Sequence, residues 1–317
     1  MFSRTFVCLS TLLLTVSGLA SGSASSAGAD EVQAAETENE AVPFKYAAGH
    51  ILLIPVKVCG KNSTFVLDTG CGVNVVSQSL ADSLSCKVIG KHSGRRMSGQ
   101  KLSMEIAALP SLQVGSYVQQ NVPVAKWKLE DLLGGEKELA SVKGFVSLDF
   151  FKDCAFTMDY AKKLLFIETE ATLKQRLAAG KSVSIKVTGQ GSWETGIDVP
   201  LEFSNGKTAL AEVDTGSGSL ILDAHYMKAF GINETDANVK VKNGTDETGH
   251  SYKRVFCDLP ADVFLAKGKE FKQLKPQVQF QKIIHQALIG DSFLHNFVVT
   301  YDLPHDRMIF AQQKQAN

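Results

Sequence analysis

The chain has 317 residues, of which 44% are hydrophobic and 21% charged, and its 33 Lys and Arg residues balance 33 Asp and Glu residues. This composition is typical of a globular protein with room for two ordinary domains or one large bilobal unit. The neutral balance and the lack of a long basic cluster exclude a typical nucleic-acid-binding protein.

The N-terminus has the features of a secretory signal peptide. Arg4 supplies a positive charge, and the apolar run Phe6–Val16 is shorter than a bilayer-spanning helix requires. Small residues follow, so we predict a signal peptide over residues 1–27 and a disordered, polar leader over residues 28–43. The protein would then be secreted or periplasmic, without membrane contact after cleavage; an uncleaved anchor is the alternative.

Five cysteines remain after the predicted signal peptide: Cys59, Cys71, Cys86, Cys154 and Cys257. An odd number leaves at least one thiol unpaired, and both disulfides and free buried thiols are compatible with export. No two of these cysteines have the spacing of a zinc site, so the sequence predicts no metal.

The first of two similar units begins near residue 44. The apolar strand Ile51–Val58 and a Gly-Lys-Asn-Ser turn lead into a second strand that ends at Asp68-Thr69-Gly70. A short strand, a short helix, an apolar run and a closing hairpin follow, at Val73–Val76, Ser79–Leu84, Gly144–Phe151 and Phe156–Ile167. A linker over residues 169–183 contains a predicted helix, Thr172–Ala179, which ends at Gly180.

The second unit repeats these features in the same order. The strand Ile197–Phe203 and a Ser-Asn-Gly-Lys turn lead into a strand that ends at Asp214-Thr215-Gly216. The strand, helix, apolar run and hairpin then recur at Ser219–Leu222, Ala224–Phe230, Ala287–Leu294 and Val298–Phe310. An internal repeat of this length indicates two homologous, β-rich lobes, over residues 44–168 and 184–317.

This pair of motifs resembles the pepsin/retropepsin-type aspartic proteases, over residues 51–312. The second unit has the family pattern in full, as Val213–Ser217 and Leu288–Leu294. The first unit departs from it at Cys71, where Ser, Thr or Ala usually follows the triplet, and at Ser147, where a second glycine is usual. The resemblance implies an all-β acid-protease fold with short helices, in which two retropepsin-like lobes form a pseudo-dimer around a central cleft.

The resemblance assigns catalysis to Asp68 and Asp214. Two like charges about 3 Å apart cannot both ionise, so the two carboxyls would share one proton and activate a water molecule for peptide hydrolysis. Because the pair titrates as a unit, neither residue is assigned as acid or base. This chemistry needs no metal and no cofactor.

The resemblance also gives roles to the residues beside the aspartates. The hydroxyls of Thr69 and Thr215 are expected to bond to the backbone of the opposite loop. Gly70 and Gly216 are expected to form tight turns and to let backbone N–H groups reach the carboxylates. The Ser217 hydroxyl is expected to bond the outer oxygen of Asp214, and the Cys71 thiol to do so more weakly for Asp68.

Two glycine-bearing segments, His92–Gly99 and Asn243–Gly249, are the predicted flaps, which would cover a peptide bound in extended form. Arg95-Arg96 is interpreted as solvated loop charge, with selection of acidic substrates as the alternative, and Met97 is interpreted as a packing residue. Asp149 and Asp291 are interpreted as structural acids that cap the N–H groups of a helical turn.

The sequence therefore predicts a monomeric, exported aspartic endopeptidase that acts on peptides or proteins. The alternative is a catalytically weak or inactive peptide-binding protein on the same fold, which the departures at Cys71 and Ser147 keep open. A third hypothesis is a self-processing enzyme that removes its own Ser21–Glu40 leader.

Overall fold

A computed structural model gives the structure of the protein and describes residues 5–6, 40–129, 133, 136–189, 193–246, 249–266 and 268–313. The predicted signal peptide and the leader up to residue 39 lie outside these residues, apart from the two-residue strand Thr5–Phe6. In the described part of the chain, no helix is long and apolar enough to cross a membrane.

The described chain is mostly β-structure with a few short helices, as an all-β aspartic-protease fold requires. In chain order the strands are β1 (Thr5–Phe6), β2 (Ala41–Pro43), β3 (Lys45–Ala47), β4 (Ile51–Val58), β5 (Lys61–Leu67), β6 (Val75–Ser77), β7 (Lys87–Arg96), β8 (Lys101–Val114), β9 (Tyr117–Trp127), β10 (Val142–Val146), β11 (Ala155–Asp159), β12 (Leu164–Ile167), β13 (Lys181–Ser184), β14 (Lys186–Thr188), β15 (Gly196–Phe203), β16 (Thr208–Val213), β17 (Leu220–Asp223), β18 (Lys240–Thr245), β19 (Ser251–Asp258), β20 (Val263–Leu265), β21 (Gly268–Gln273), β22 (Gln277–Gln281), β23 (Ala287–Ile289), β24 (Phe297–Asp302) and β25 (Arg307–Gln312). The helices are α1 (Gln78–Ser83), α2 (Glu170–Ala179), α3 (Tyr226–Ala229) and α4 (Asp291–Leu294), with 3₁₀ turns at Lys137–Leu139 and Leu303–His305.

Two of the sheets repeat one strand order. Neighbouring strands run β7-β8-β9-β6-β10-β5-β4 in the first sheet and β18-β19-β22-β17-β23-β16-β15 in the second. In each sheet the strand that ends at the Asp-Thr-Gly triplet pairs in parallel with the strand of the later apolar run. The strand after the triplet pairs antiparallel with that same apolar strand. The order of features in the sequence predicted this correspondence.

Both halves of the chain contribute to a third, six-stranded sheet, in the order β13-β25-β24-β11-β12-β2. Where β11 of the first half meets β24 of the second, the hydroxyls of Thr157 and Thr300 lie 2.7 Å apart. Phe156 stacks on Tyr301 beside them, with ring centroids 4.6 Å apart. Because these side chains are buried and belong to different halves, the shared sheet holds the two halves in one orientation.

Two boundary predictions need correction. Residues 41–43 were predicted to end a disordered leader, but they form β2, which pairs with β12 and buries Val42. The helix predicted from Thr172 begins earlier, at Glu170, because Thr169 and Thr172 form a reciprocal capping box. Gly180 follows the last residue of this helix, as predicted.

Candidate active site

The two Asp-Thr-Gly triplets lie at the ends of β5 and β16 and meet between the halves. Asp68 and Asp214 are both fully buried, and each lies close enough to the other to shift its pKa. A Cβ atom at Gly70 would lie 2.4 Å from Asp214 Oδ1, and one at Gly216 would lie 2.7 Å from Asp68 Oδ2. Each Asp-Thr-Gly loop thus lies directly against the carboxyl group of the other.

The threonines of the triplets form a reciprocal set of hydrogen bonds. The Thr69 hydroxyl donates to the Val213 carbonyl at 2.8 Å and accepts from the Thr215 N–H at 3.0 Å. The Thr215 hydroxyl donates to the Leu67 carbonyl at 3.0 Å and accepts from the Thr69 N–H at 3.0 Å. The predicted bonds across the loops are therefore present, and every polar group in this set has a partner.

Of the two roles predicted for the glycines, the N–H bonds to the carboxylates are present, whereas the tight turns are not what requires glycine. Neither Gly70 nor Gly216 has a positive φ angle, so a tight left-handed turn does not explain them. Their N–H groups donate to the carboxylate of the same loop, at 3.0 Å to Asp68 Oδ1 and 2.9 Å to Asp214 Oδ1. A side chain at either position would collide with the opposite aspartate, so glycine is required by the close approach of the carboxyls.

The backbone donors to the two aspartates differ. Asp68 Oδ1 accepts a second hydrogen bond, from the Cys71 N–H at 2.9 Å. The equivalent Ser217 N–H donates at 3.1 Å to the main-chain oxygen of Asp214, although it lies close enough to the carboxyl to lower its pKa. An additional N–H donor stabilises an ionised carboxylate, so the charge is better supported on Asp68 than on Asp214.

Burial raises the pKa of both aspartates, and the neighbouring Asp68 charge raises the pKa of Asp214 further. The Oδ2 atoms of Asp68 and Asp214 are buried and accept no hydrogen bond from the described residues. A proton shared by two neighbouring buried carboxyls gives such acceptor atoms a partner. The environment therefore favours a singly protonated pair, with the proton held more strongly on the Asp214 side.

The side chains that follow the triplets do not bond the aspartates, which corrects the prediction for Ser217 and Cys71. The Ser217 hydroxyl donates to the Ser219 carbonyl at 3.1 Å, and the Cys71 thiol points in the same way to the Val73 carbonyl at 3.2 Å. Each side chain thus bonds to the main chain of its own loop, at the residue two positions further on. Ser217 remains near Asp214 through its main chain only.

Ser147 replaces a glycine without disturbing the first loop because Asn74 lies beside it. In the second half a Cβ atom at Gly290 would lie 2.1 Å from the Ser217 carbonyl oxygen, which leaves no room for a side chain. In the first half the Ser147 N–H donates to Asn74 Oδ1 at 3.0 Å, and its hydroxyl donates to the same oxygen at 3.3 Å. Leu220 is at the position equivalent to Asn74, so this polar pair belongs to the first half alone.

Asp149 and Asp291 bond across to the opposite half and do not cap a helical turn. Asp291 is the first residue of α4, and Gly290 is its N-cap residue, without a side-chain cap. Asp291 Oδ1 accepts from the Tyr46 hydroxyl at 2.9 Å, and Asp149 Oδ1 accepts from the Thr195 hydroxyl at 3.2 Å. The sequence comparison did not identify Tyr46 or Thr195, because nothing in the spacing of the motifs shows which side chain faces the other half.

The two predicted flaps are the hairpins β7–β8 and β18–β19. The first hairpin rests on the second half, where its Met97 carbonyl accepts from the Ile284 N–H at 3.0 Å. Met97 packs against a cluster of Ile221, Ile283 and Leu288, as a packing residue should. Residues 247 and 248, in the second flap, lie outside the described residues.

Arg96 is not solvated loop charge. It is only 4% exposed, and its Nε lies 3.8 Å from Asp246 Oδ2 at the end of the second hairpin. Arg95 is the more exposed of the two, and its Nη1 donates to the Gly99 carbonyl within the turn. The buried charge pair joins the two hairpins, so Arg96 is not available as a free site for an acidic substrate.

The five cysteines of the described chain are all free thiols. No group of three or more His, Cys, Asp or Glu side chains in the described residues is arranged to hold a metal ion.

Comparison with known protein families agrees with this geometry for one half of the chain. Residues 54–135 match a family model described as aspartyl protease. The matched segment contains Asp68-Thr69-Gly70 and the first hairpin, whereas Asp214-Thr215-Gly216 lies beyond it. No curated protein matches the chain. Over residues 54–135, then, the chain is similar to aspartyl proteases.

Proposed function

We propose that this protein is an aspartic endopeptidase in which Asp68 and Asp214 together activate a water molecule. The observation that carries the proposal is the buried pair of carboxyls, held by two matching loops and locked by reciprocal threonine bonds. The family match over residues 54–135 supports a protease in general. The second triplet completes the dyad within the same chain, so a monomer is sufficient for activity.

The proposed reaction uses one proton shared by the two carboxyls. The ionised carboxylate accepts a proton from water as the water oxygen attacks the peptide carbonyl carbon, and the protonated carboxyl donates its proton to the carbonyl oxygen. The tetrahedral intermediate then collapses as the C–N bond breaks and the leaving nitrogen receives a proton. Because Asp68 has the additional N–H donor, we assign it the ionised role in the resting state and the protonated role to Asp214.

We further propose that the chain is an internal duplication of a retropepsin-like unit. The support is the shared strand order of the two sheets and the equivalent parallel pairing of β5 with β10 and β16 with β23. A peptide substrate would lie in extended form beneath the two hairpins, which would have to separate to admit it. The first hairpin is the main gate in this proposal, because it is the one bonded to Ile284.

Peptide hydrolysis by purified protein tests the function directly. We expect cleavage of a broad peptide library somewhere between pH 3 and pH 8, and a loss of at least about 10³-fold in Asp68→Asn and Asp214→Asn variants. The matched control is Asp306→Asn, an exposed aspartate of the shared-sheet region, which should retain activity. If the wild type binds peptides but cleaves none at any pH, the peptide-binding alternative replaces the enzyme.

We also propose that residues 1–27 direct export and that the leader is removed afterwards. Mass spectrometry of the N-terminus of the exported protein tests this proposal. Removal of the leader in the wild type but not in Asp68→Asn would favour self-processing, whereas removal in both would indicate another protease.

A further inference from the structure

In each half, the residue just before the first long strand reaches across to the catalytic loop of the other half. His50 precedes β4, and its Nε2 lies 3.2 Å from the main-chain oxygen of Gly216. Thr195 precedes β15, and its N–H donates to the main-chain oxygen of Gly72 at 2.9 Å. His50 and Thr195 occupy equivalent places, but Thr195 donates from its main chain to Gly72, whereas His50 contacts Gly216 through its side chain.

The His50 ring lies flat against the second catalytic loop. A Cβ atom at Gly218 would come within 2.9 Å of the ring Cγ and 3.0 Å of Nδ1, so only glycine leaves room for the imidazole. Tyr46, four residues earlier, bonds Asp291, which itself follows the second apolar run. One short segment of the first half therefore contacts the second catalytic loop and the acid beside it.

The direction of the hydrogen bond follows from its acceptor. A carbonyl oxygen only accepts, so Nε2 of His50 carries the proton. Burial lowers the pKa of His50, while the hydrogen bond to Gly216 and the negative charge of Asp291 act in the opposite direction. The ring is consequently neutral near pH 7 and donates to Gly216 in that form.

The peptide group that His50 contacts is also one that faces Asp214. The Gly216 carbonyl and the Ser217 N–H belong to the same planar unit, and that N–H donates to the main-chain oxygen of Asp214 at 3.1 Å. The N–H of Gly216 itself donates to Asp214 Oδ1 at 2.9 Å. A donor on the carbonyl side of a peptide polarises it and strengthens the N–H on the other side. Hydrogen bonding at Gly216 is thereby transmitted to the aspartate.

We propose that His50 is a positioning residue for Asp214, which holds and polarises the Gly216–Ser217 peptide so that the ionised form of Asp214 is stabilised. This inference rests on the proposed catalytic role of the dyad and adds a residue to it. The second loop has fewer N–H donors to its aspartate than the first loop has. The proposal explains why this loop is the one whose Gly216 carbonyl accepts from a side chain.

Substitution of His50 in the full chain, with pH as the variable, tests the proposal. In His50→Leu we expect kcat/KM to fall about 10-fold, the equivalent of one hydrogen bond, and the alkaline limb of its pH profile, which reports ionisation of Asp214, to move up by roughly 0.2–0.6 unit. The limb moves up because the carboxylate loses support and ionises at higher pH. His50→Gln, whose amide donates to Gly216, should restore most of the activity and the original limb.

The control is His305→Leu, which removes an exposed histidine bonded to Asp302, remote in sequence from either triplet. This variant should leave the profile unchanged. A folded His50→Leu protein with reduced activity but an unmoved alkaline limb would show a purely structural role and overturn the proposal. If His50→Leu does not fold, His50→Asn serves instead, since its amide is too short to reach Gly216.

A second readout separates this inference from the proposed function. The pH dependence of the free energy of unfolding reports ionisation of the Asp68–Asp214 pair without any catalysis. If the wild type cleaves nothing but His50→Leu still shifts that dependence, the enzyme proposal fails and the role of His50 stands. If cleavage is normal and neither profile moves, the role of His50 fails alone.

Discussion

The two Asp-Thr-Gly loops have the same backbone arrangement, but their polar groups have different hydrogen-bond partners. The first loop gives Asp68 two N–H donors and uses the Asn74–Ser147 pair where the second loop has Leu220 and Gly290. The second loop gives Asp214 one direct N–H donor and is contacted by His50. The comparison teaches that symmetry of the fold does not impose symmetry of charge, because the donors around each carboxyl are set by single residues.

The largest expected effect on activity tests the feature that the two loops share, which is the close approach of a glycine to the opposite carboxyl. Gly70→Ala would place a methyl group 2.4 Å from Asp214 Oδ1 and drive the carboxyls apart. We expect a fall of at least about 100-fold in kcat/KM, since misplacement of a catalytic group by about 1 Å has that cost. Gly206→Ala is the control: its φ of +80° makes it strained, but nothing lies within 4 Å of the added atom. Comparable losses of activity in both variants would contradict the steric explanation.

The next effect concerns the cost of burying two carboxyls. Both folded-state pKa values are raised, so the contribution of this pair to stability is greatest at low pH and is lost as pH rises through those values. Asp214→Asn should raise the free energy of unfolding at pH 7 by about 1–3 kcal/mol and give no gain at pH 3.

Asp68→Asn should stabilise less, because the remaining charge on Asp214 has fewer N–H donors. Urea unfolding at the two pH values measures both variants. An equal gain at pH 7 would mean that the difference in donors has no energetic effect.

A smaller effect tests the polar pair that is specific to the first half. Asn74→Leu installs the residue of the second half and leaves the buried Ser147 N–H without its acceptor, so we expect a loss of about 1–3 kcal/mol in stability. Adding Ser147→Gly to this variant should not restore the lost stability. The group left without an acceptor is the main-chain N–H, which glycine also has. Recovery in the double variant would show that the Ser147 hydroxyl, and not its N–H, needs Asn74.

The smallest effect concerns Cys71. Its thiol points to the Val73 carbonyl, as the Ser217 hydroxyl points to the Ser219 carbonyl. Cys71→Ser should therefore change stability by less than about 0.5 kcal/mol and leave the pH profile of cleavage where it is. A shift of the profile would return Cys71 to the role that the sequence suggested, as a modulator of Asp68.

The sequence predicted the parts of the site that depend on backbone repetition. Periodicity and the repeated motifs predicted the strands that end at the two triplets, and the family resemblance implied that the triplets meet. The order of the strands within each sheet was not predicted. The direction of side chains was not predictable in the same way. Ser217 turns to Ser219, and Asp291 turns to Tyr46, because each choice depends on a neighbour that is distant in sequence or on the opposite half.

The burial and the partners of charged side chains could not be predicted from the sequence either. Arg96 stands in a polar, glycine-bearing segment that is typical of exposed loops, yet it is buried against Asp246. The pairing of Arg96 with Asp246 depends on two hairpins from different halves that meet at their ends. Nothing in either segment alone contains that information, so interpretation as solvated charge was the natural error.

The six-stranded sheet has a consequence for the order in which the protein folds. Thr157 and Thr300 are separated by 143 residues, so the pairing of β11 with β24 waits for the second half of the chain. Until then β11 is an open edge on a partly folded first half, and such edges are prone to pair with other chains. Contacts of such long sequence separation also slow folding. The strand that unites the halves in the native protein is thus the place where a nascent chain is most exposed to misassembly.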